Sequence, residues 1–191
     1  TYVKFHEEAI WWDVQLVEDA LERTIDVAPG THTMTVSGTD TLGKTSSVTV
    51  EFTVEDQVTV VNGDFETGDT SAWVNFPTAN STFVVTPDSA GGAFAGQIFN
   101  NDAASAAVHK QANLGVGTVN PSATVDITFA AKGAGMNGGV VFAEFFSEIS
   151  GGGVSSSELL GGAPLALTGS YQTFSFTTTA GSDTSGGITL Q

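Results

Sequence analysis

Two runs of this chain alternate apolar and polar side chains one residue at a time, and this alternation limits the fold more than any other feature. Residues 31–36 and 47–54 follow the pattern of half-buried β-strands, whose successive side chains point to opposite faces. Residues 38–43 between them, Gly-Thr-Asp-Thr-Leu-Gly, have the composition of a turn. No stretch sustains the 3.6-residue period of a helix. The sequence therefore predicts an all-β protein.

The later part of the chain continues in the same way, with short strands separated by glycine-rich loops. Glycines cluster at residues 133–138 and 151–153. The predicted strands cover residues 123–131, 139–147 and 171–178, and a last strand starts at Ile188. This pattern predicts a β-sandwich with jelly-roll wiring.

The composition changes near residues 55–59, and we place a domain boundary there. The first 56 residues hold 11 of the 21 acidic side chains, whereas the chain after them is rich in Gly, Ala, Ser, Thr and Phe. A length of 191 residues suffices for one large β domain or two small ones. We therefore expect a first domain over residues 1–56 and a second over residues 57–191.

The net charge and the lack of cysteine restrict the classes of ligand and of chemistry that this chain can support. Five Lys plus Arg against 21 Asp plus Glu give a formal net charge of −16, which repels nucleic acid and anionic membranes. Neutral polymers are therefore favoured over anionic ones as ligands. A salty, marine habitat explains such acidity, and so does a simple gain in solubility. The absence of cysteine excludes disulfides and thiol catalysis. No apolar run approaches the roughly 20 residues that span a bilayer.

The first domain resembles the end of a bacterial immunoglobulin-like domain. The segments that carry the resemblance are residues 25–36, Asp40-Thr-Leu-Gly43 and residues 48–54. The resemblance implies a spacer module of the kind found in secreted glycosidases. About five strands are predicted, too few for a seven-stranded sandwich, so we expect a partial immunoglobulin-like β-sandwich.

The second domain carries a more specific motif, Asn62-Gly-Asp-Phe-Glu-Thr-Gly68, followed by Trp73. With residues 108–115, 125–132, 140–148 and 171–176, it resembles carbohydrate-binding modules of the family 4 and 9 type, which adopt the galactose-binding-like jelly roll. Such modules accompany secreted enzymes such as the family 16 laminarinases. The resemblance thus implies a secreted protein with a catalytic domain in the same parent chain. The family ends in an Asp-Asn-Val or Asp-Asp-Val strand, so we expect residues 57–191 to lack the last strand.

Catalytic constellations are missing from the sequence. Glu144 and Glu148 would lie about 13 Å apart on an extended strand, whereas glycosidases need roughly 5–5.5 Å or 6.5–9.5 Å between carboxyl groups. The histidines at positions 6, 32 and 109 have no serine or acidic partner in sequence. Residues 133–138 match the spacing of a dinucleotide fingerprint, but no helix follows them. We expect a protein that is not itself an enzyme.

The resemblance also implies a structural calcium ion. The matching positions are Asp64, Glu66 and Gly92, and oxygen donors suit a hard cation. The alternative is that Asp64 and Glu66 only shape a turn.

Sugar binding requires aromatic rings and hydrogen-bonding groups on an open surface. Alternation places Phe142, Glu144 and Phe146 on one face of their strand and Val141, Ala143 and Phe145 on the other. Because a buried carboxylate is costly, the face with Glu144 is predicted to be open. The further candidates for this face are His109, Gln111, Tyr171 and Gln191. In the alternative interpretation both phenylalanines are packed and Glu144 pairs with Lys110 or Lys132.

The tryptophans are assigned to packing. Trp73, by its place in the motif, is predicted to lie in the core, and packing is also expected for Trp11 and Trp12. The leading hypothesis for function is non-catalytic binding of a neutral β-glucan such as laminarin, which targets a polysaccharide-degrading enzyme to its substrate. The alternative is a structural or adhesive β-sandwich module of a surface protein.

Overall fold

The computed structural model describes the backbone of residues 2–7, 10–15, 30–54, 57–135 and 138–191, and the side chains of the last three ranges. The chain divides into two compact units, Thr1–Gln57 and Val58–Gln191. The regular structure of the described residues is β-strand, with a 3₁₀ turn at Leu160–Gly162 and no α-helix. The predicted all-β class is confirmed. No described helix has the length and apolar character needed to cross a bilayer.

The described strands of the first unit form an antiparallel sheet with the order β2-β1-β3-β4. Its strands are β1 (Tyr2–Glu7), β2 (Ile10–Gln15), β3 (Gly30–Thr39) and β4 (Thr45–Val54). The predicted hairpin is confirmed, and Asp40 closes its turn by accepting hydrogen bonds from the N–H groups of Leu42 (2.9 Å) and Lys44 (2.8 Å). The immunoglobulin-like identity of this unit stays a prediction.

The second unit contains a five-stranded sheet and two two-stranded ribbons. The sheet has the order β11-β10-β13-β8-β5, and the ribbons are β12–β9 and β6–β7. The strands are β5 (Val74–Phe76), β6 (Ser81–Thr86), β7 (Ala95–Asn100), β8 (Val108–Leu114), β9 (Thr124–Ala131), β10 (Glu144–Glu148), β11 (Val154–Leu159), β12 (Gln172–Thr179) and β13 (Ile188–Leu190). Neighbours in the sheet are mostly not consecutive in sequence, as jelly-roll wiring requires.

The predicted strands agree with this architecture except at one point. The predictions for residues 123–131, 171–178 and the strand from Ile188 are confirmed by β9, β12 and β13. The prediction for 139–147 is wrong in its first half, because the strand begins at Glu144. Before it, Ala143 O accepts the N–H of Leu160, the first residue of the 3₁₀ turn, at 2.9 Å, and Val141 O accepts the N–H of Leu165, beyond that turn, at 2.8 Å.

The core of the second unit lies between the five-stranded sheet and the β12–β9 ribbon. From the sheet come Leu114, Phe145 and Ile188, all buried. Partly buried side chains of the ribbon, including Ile127 and Phe176, pack against them. The two layers form a β-sandwich, and one side of the sheet is turned away from the core.

Candidate functional site

Strand β10 separates an inner from an outer set of side chains. Phe145 is 1% exposed and Ser147 is fully buried. On the other side, Glu144 and Phe146 are half-buried, and Phe142, just before the strand, is 44% exposed. The predicted orientation of these residues is confirmed, because the costly burial of the Glu144 carboxylate is avoided.

The same outer side extends across the whole sheet, and we call it the open face. Residues directly opposite each other on neighbouring strands share a face, so Thr189 lies beside Phe146, and Gln191 beside Glu144. On β8, Gln111 pairs with the inner Leu190, so its neighbour Lys110 lies on the outer side, and Val74 of β5 shares that side. The side chains that define the open face are Phe76, Lys110, Glu144, Phe146, Glu148, Thr189 and Gln191.

Both acidic groups of the open face are oriented by neutral partners. The side-chain amide of Gln191 donates to Glu144 Oε2 at 2.5 Å, and the hydroxyl of the buried Thr189 donates to Glu148 Oε1 at 2.7 Å. Each carboxylate has about four lone-pair sites and keeps acceptor capacity beyond these bonds. The face therefore presents fixed acceptors to a ligand's hydroxyl groups.

The amines expected to pair with Glu144 are placed elsewhere. Lys110 Nζ lies over the Phe76 ring, 5.4 Å from its centroid. Lys132 forms an ion pair with Asp88. The alternative in which Glu144 pairs with one of these lysines is therefore wrong, since Glu144 binds Gln191.

A depression of about 490 Å³ lies at one end of the open face. Lys110 and Glu148 line it from the strands, and loop residues 149–152 and 185–186 complete its wall. A lysine and a glutamate thus line the same polar hollow. Together they can donate and accept hydrogen bonds with a polyhydroxylated molecule.

Two predicted members of this face, His109 and Gln111, lie on the opposite side of β8. His109 is 7% exposed, and its ring centroid is 4.1 Å from that of Phe83. Gln111 is 3% exposed and hydrogen-bonded to Val61. Their placement on the open face is wrong, because the register turns Lys110 outward and its two neighbours inward.

Tyr171 is also misplaced by the sequence prediction. It precedes β12 in the other layer, where its hydroxyl donates to the backbone oxygen of Asp88 at 2.5 Å. Lys132 Nζ lies 4.7 Å from the centroid of its ring. Tyr171 closes the loop around Asp88 and does not belong to the open face.

Phe76 is the aromatic residue of the open face that sequence reasoning missed, and Lys110, Glu148 and Thr189 were not predicted for this face either. Strand β5 has three residues, too few for alternation to be recognised. Its pairing with β8, with Phe76 opposite Val108, connects segments about thirty residues apart. The ring is 51% exposed, and the only signal for it was an aromatic residue following the glycine-rich motif.

The residues predicted to hold calcium lie together. The Glu66 carboxylate accepts hydrogen bonds from the N–H groups of Ala93 (2.9 and 3.0 Å) and Phe94 (3.0 Å). The Glu66 N–H donates to Asp64 Oδ1 at 3.2 Å. A Cβ at Gly92 would clash with the Glu66 carboxylate, so a glycine permits this close approach. The carboxylate oxygens of Asp64 and Glu66 are the kind of hard donor that Ca²⁺ prefers.

The described residues contain no group of three or more His, Cys, Asp or Glu side chains placed to hold a metal ion. A calcium ion would therefore need backbone oxygens and water beside Asp64 and Glu66. Calcium binding stays a prediction.

Trp73 is half-buried and packs in an aromatic cluster with Phe65 and Phe83, outside the buried core cluster to which it was predicted to belong. Its indole N–H donates to Asn62 O at 3.1 Å, and its ring stacks on Phe65 with centroids 5.5 Å apart. The predictions for Trp11 and Trp12 concern side chains outside the described residues, as does that for His6.

Comparisons with known proteins add one structural likeness. No family model matches the chain, and no curated protein matches it. One solved structure is similar over 100% of this chain and 78% of its own, with a TM-score of 0.42 and 15% sequence identity. It comes from work on the structural basis for the promiscuous specificity of carbohydrate-binding modules of the β-sandwich superfamily. The likeness is too distant to identify the family of this chain.

Proposed function

We propose that the second unit binds a polysaccharide on the open face without cleaving it. The observation that supports this most directly is the presence of Phe146 and the exposed Phe76 on the same side of the sheet as the Glu144–Gln191 pair. Flat rings can pack against the C–H faces of sugar rings, while carboxylate and amide groups bind their hydroxyl groups.

The mode of binding follows from the spacing of these groups. Phe76 on β5 and Phe146 on β10 are separated by two intervening strands, so they lie at least about 14 Å apart. Between them lie Thr189 and the amine of Lys110. A ligand that contacts both rings is therefore longer than a single sugar, which favours a polysaccharide over a monosaccharide.

The same geometry explains why binding is not followed by hydrolysis. Glu144 and Glu148 stand at opposite ends of one strand, about 13 Å apart when that strand is extended. This exceeds the roughly 9.5 Å upper limit for a pair of glycosidase carboxyls. The two acids therefore act as separate hydrogen-bond acceptors for the sugar.

We assign a neutral β-glucan such as laminarin as the ligand. A net charge of −16 disfavours a strongly anionic polymer. In this proposal the protein is secreted, the first unit is an immunoglobulin-like spacer, and a glycoside hydrolase domain in the same parent chain acts on the bound polysaccharide. A calcium ion held by Asp64, Glu66 and the Gly92 carbonyl would stabilise the loop that follows Asn62.

Affinity electrophoresis of the full chain tests the proposal, with laminarin, xylan, agarose and alginate in separate gels. We expect retardation in laminarin, reduced by Phe146→Ala and by Glu144→Gln. Phe99→Ala is the matched control, because Phe99 is 57% exposed but lies on the β6–β7 ribbon. Migration unchanged in all four gels would instead favour a structural or adhesive module, and release of reducing sugar would favour an enzyme.

A further inference from the structure

His109 lies directly behind the open face, on the inner side of β8. It is 7% exposed, and neither of its ring nitrogens has a hydrogen-bond partner among residues 30–54, 57–135 and 138–191. Burial lowers the pKa of the His109 imidazole below its ordinary value near 6.5. The role proposed for the open face makes no use of this group.

The surroundings of His109 are aromatic. Its ring lies against Phe83, with centroids 4.1 Å apart, and Phe83 meets Phe65 and Trp73 edge-on. The residue opposite it on β5 is the uncharged Asn75.

Among the residues that the structure describes, the elements around this ring offer no charge to balance a proton. Strands β5, β6 and β7 contain no charged residue, and Lys110 points to the other side of β8. The acids of the loop over residues 62–73 are engaged locally: Asp64 with Glu66 N–H, Glu66 with Ala93 and Phe94, and Asp69 with Thr67 and Ser71. The pKa of His109 is accordingly lowered by burial.

We propose that His109 is an acid-sensitive switch that loosens the aromatic end of the open face when it takes up a proton. Protonation turns both ring nitrogens into donors and adds a positive charge where no described acceptor lies, so the ring must move toward water. Strand β5, which carries Phe76, lies at the edge of the sheet and pairs with no described strand besides β8, through Val108, His109 and Lys110. Displacement of His109 therefore releases the strand that positions Phe76, and with it the bound polysaccharide.

The sign of the effect follows from proton linkage. The unfolded chain, with an ordinary histidine, takes up the proton before the folded one does as the pH falls. The contribution of neutral His109 to the free energy of unfolding is therefore complete above about pH 6.5. It decreases as the pH falls from there toward the lower pKa that His109 has in the folded protein. An ordinary exposed carboxylate titrates near pH 4. The pH range in which protonation of His109 changes stability can therefore be separated from the range in which carboxylates do so.

A ligand-free experiment tests the switch. We compare the wild type and His109→Phe, with His32→Phe in the first unit as control, in thermal unfolding between about pH 7.5 and pH 5.5. The unfolding midpoint of the wild type and of the control is expected to fall, and that of His109→Phe to stay constant. A parallel fall in all three, or none in the wild type, would overturn the proposal. If His109→Phe does not fold, titration of the His109 ring by NMR decides, and a pKa of 6.5 or above overturns it.

The effect on the ligand rests on the proposed function and is measured separately, by laminarin retardation at the same two pH values. Retardation at about pH 7.5 that is lost at about pH 5.5 in the wild type, but kept in His109→Phe, supports the release mechanism. Constant retardation alongside a falling unfolding midpoint would contradict it. No retardation at either pH would contradict the proposed function, while the unfolding data still decide the switch.

Discussion

The side-chain amide of Gln111 binds both backbone groups of Val61. Its Oε1 accepts the Val61 N–H at 3.1 Å, and its Nε2 donates to the Val61 carbonyl at 2.6 Å. The amide thus takes the place of a peptide group on a neighbouring strand. It attaches residues 57–61, which lie outside the regular strands, to β8 in the middle of the sheet. Val58 and Val60 of this segment pack against the core.

Gln111→Met should therefore destabilise the second unit. Methionine fills a similar volume but offers neither bond, so the Val61 N–H and carbonyl both lose their partner. At about 0.5–1.5 kcal/mol for each bond, the free energy of unfolding is expected to fall by about 1–3 kcal/mol. Urea denaturation of the full chain measures the change. Gln97→Met on the exposed surface of β7 is the control, and equal urea midpoints for the two variants would disprove the role of Gln111.

Gln111 also shows why part of the site could not be predicted. A polar side chain on a strand is ordinarily assigned to the solvent side, and the prediction for Gln111 and His109 followed that rule. The group that satisfies Gln111 lies 50 residues away in sequence, so no local pattern announces it. His109 is buried with neither ring nitrogen bonded among the described residues, which alternation cannot anticipate.

Gly92 provides a second test, since its neighbour Gly91 is a matched control. Gly92 has φ = 75°, and a Cβ there would meet Glu66 Oε1 at 2.3 Å, whereas a Cβ at Gly91 would have no heavy atom within 4 Å. An L-residue with a left-handed backbone costs roughly 1–2 kcal/mol of folding free energy. Displacement of the Glu66 carboxylate adds a further cost. Gly92→Ala should lower the thermal midpoint, and Gly91→Ala should leave it nearly unchanged. Similar midpoints for both alanine variants would contradict the tight contact at Gly92.

The two sides of β10 give a third prediction. Phe145 is 1% exposed in the core, whereas Phe142 is 44% exposed beside the open face. Phe145→Ala should cost about 3–5 kcal/mol of unfolding free energy through loss of buried area and the cavity left behind. Phe142→Ala should change stability by less than about 1 kcal/mol. Chemical denaturation measures both, and a larger loss from Phe142→Ala would reverse the assignment of the two faces.

What the sequence did establish came from local alternation. Within residues 142–147 the cost of burying the Glu144 carboxylate decided which side faces water, and the structure has that side open. The hairpin of β3 and β4 was predictable for the same reason, since both strands alternate and the turn predicted between them, residues 38–43, contains two glycines and Asp40. The position of Tyr171 depends on which layer receives its strand. That pairing of distant strands is not encoded in any short segment.

The calcium proposal leads to the last prediction, and Trp73 supplies its readout. The indole of Trp73 is hydrogen-bonded to Asn62, two residues before Asp64, so it is close enough to excite a terbium ion bound at the calcium position. We expect sensitised terbium emission that excess Ca²⁺ removes, and a higher thermal midpoint in Ca²⁺ than in a chelator, because a ligand that binds only the folded state stabilises that state.

Both responses should be lost in Asp64→Asn and kept in Asp102→Asn, whose side chain accepts a hydrogen bond from Ala104 N–H in a different loop. Emission of equal strength in both variants would mean that terbium binds elsewhere. An unchanged midpoint together with absent emission would leave the clamp of Glu66 on Ala93 and Phe94 as the whole function of the motif.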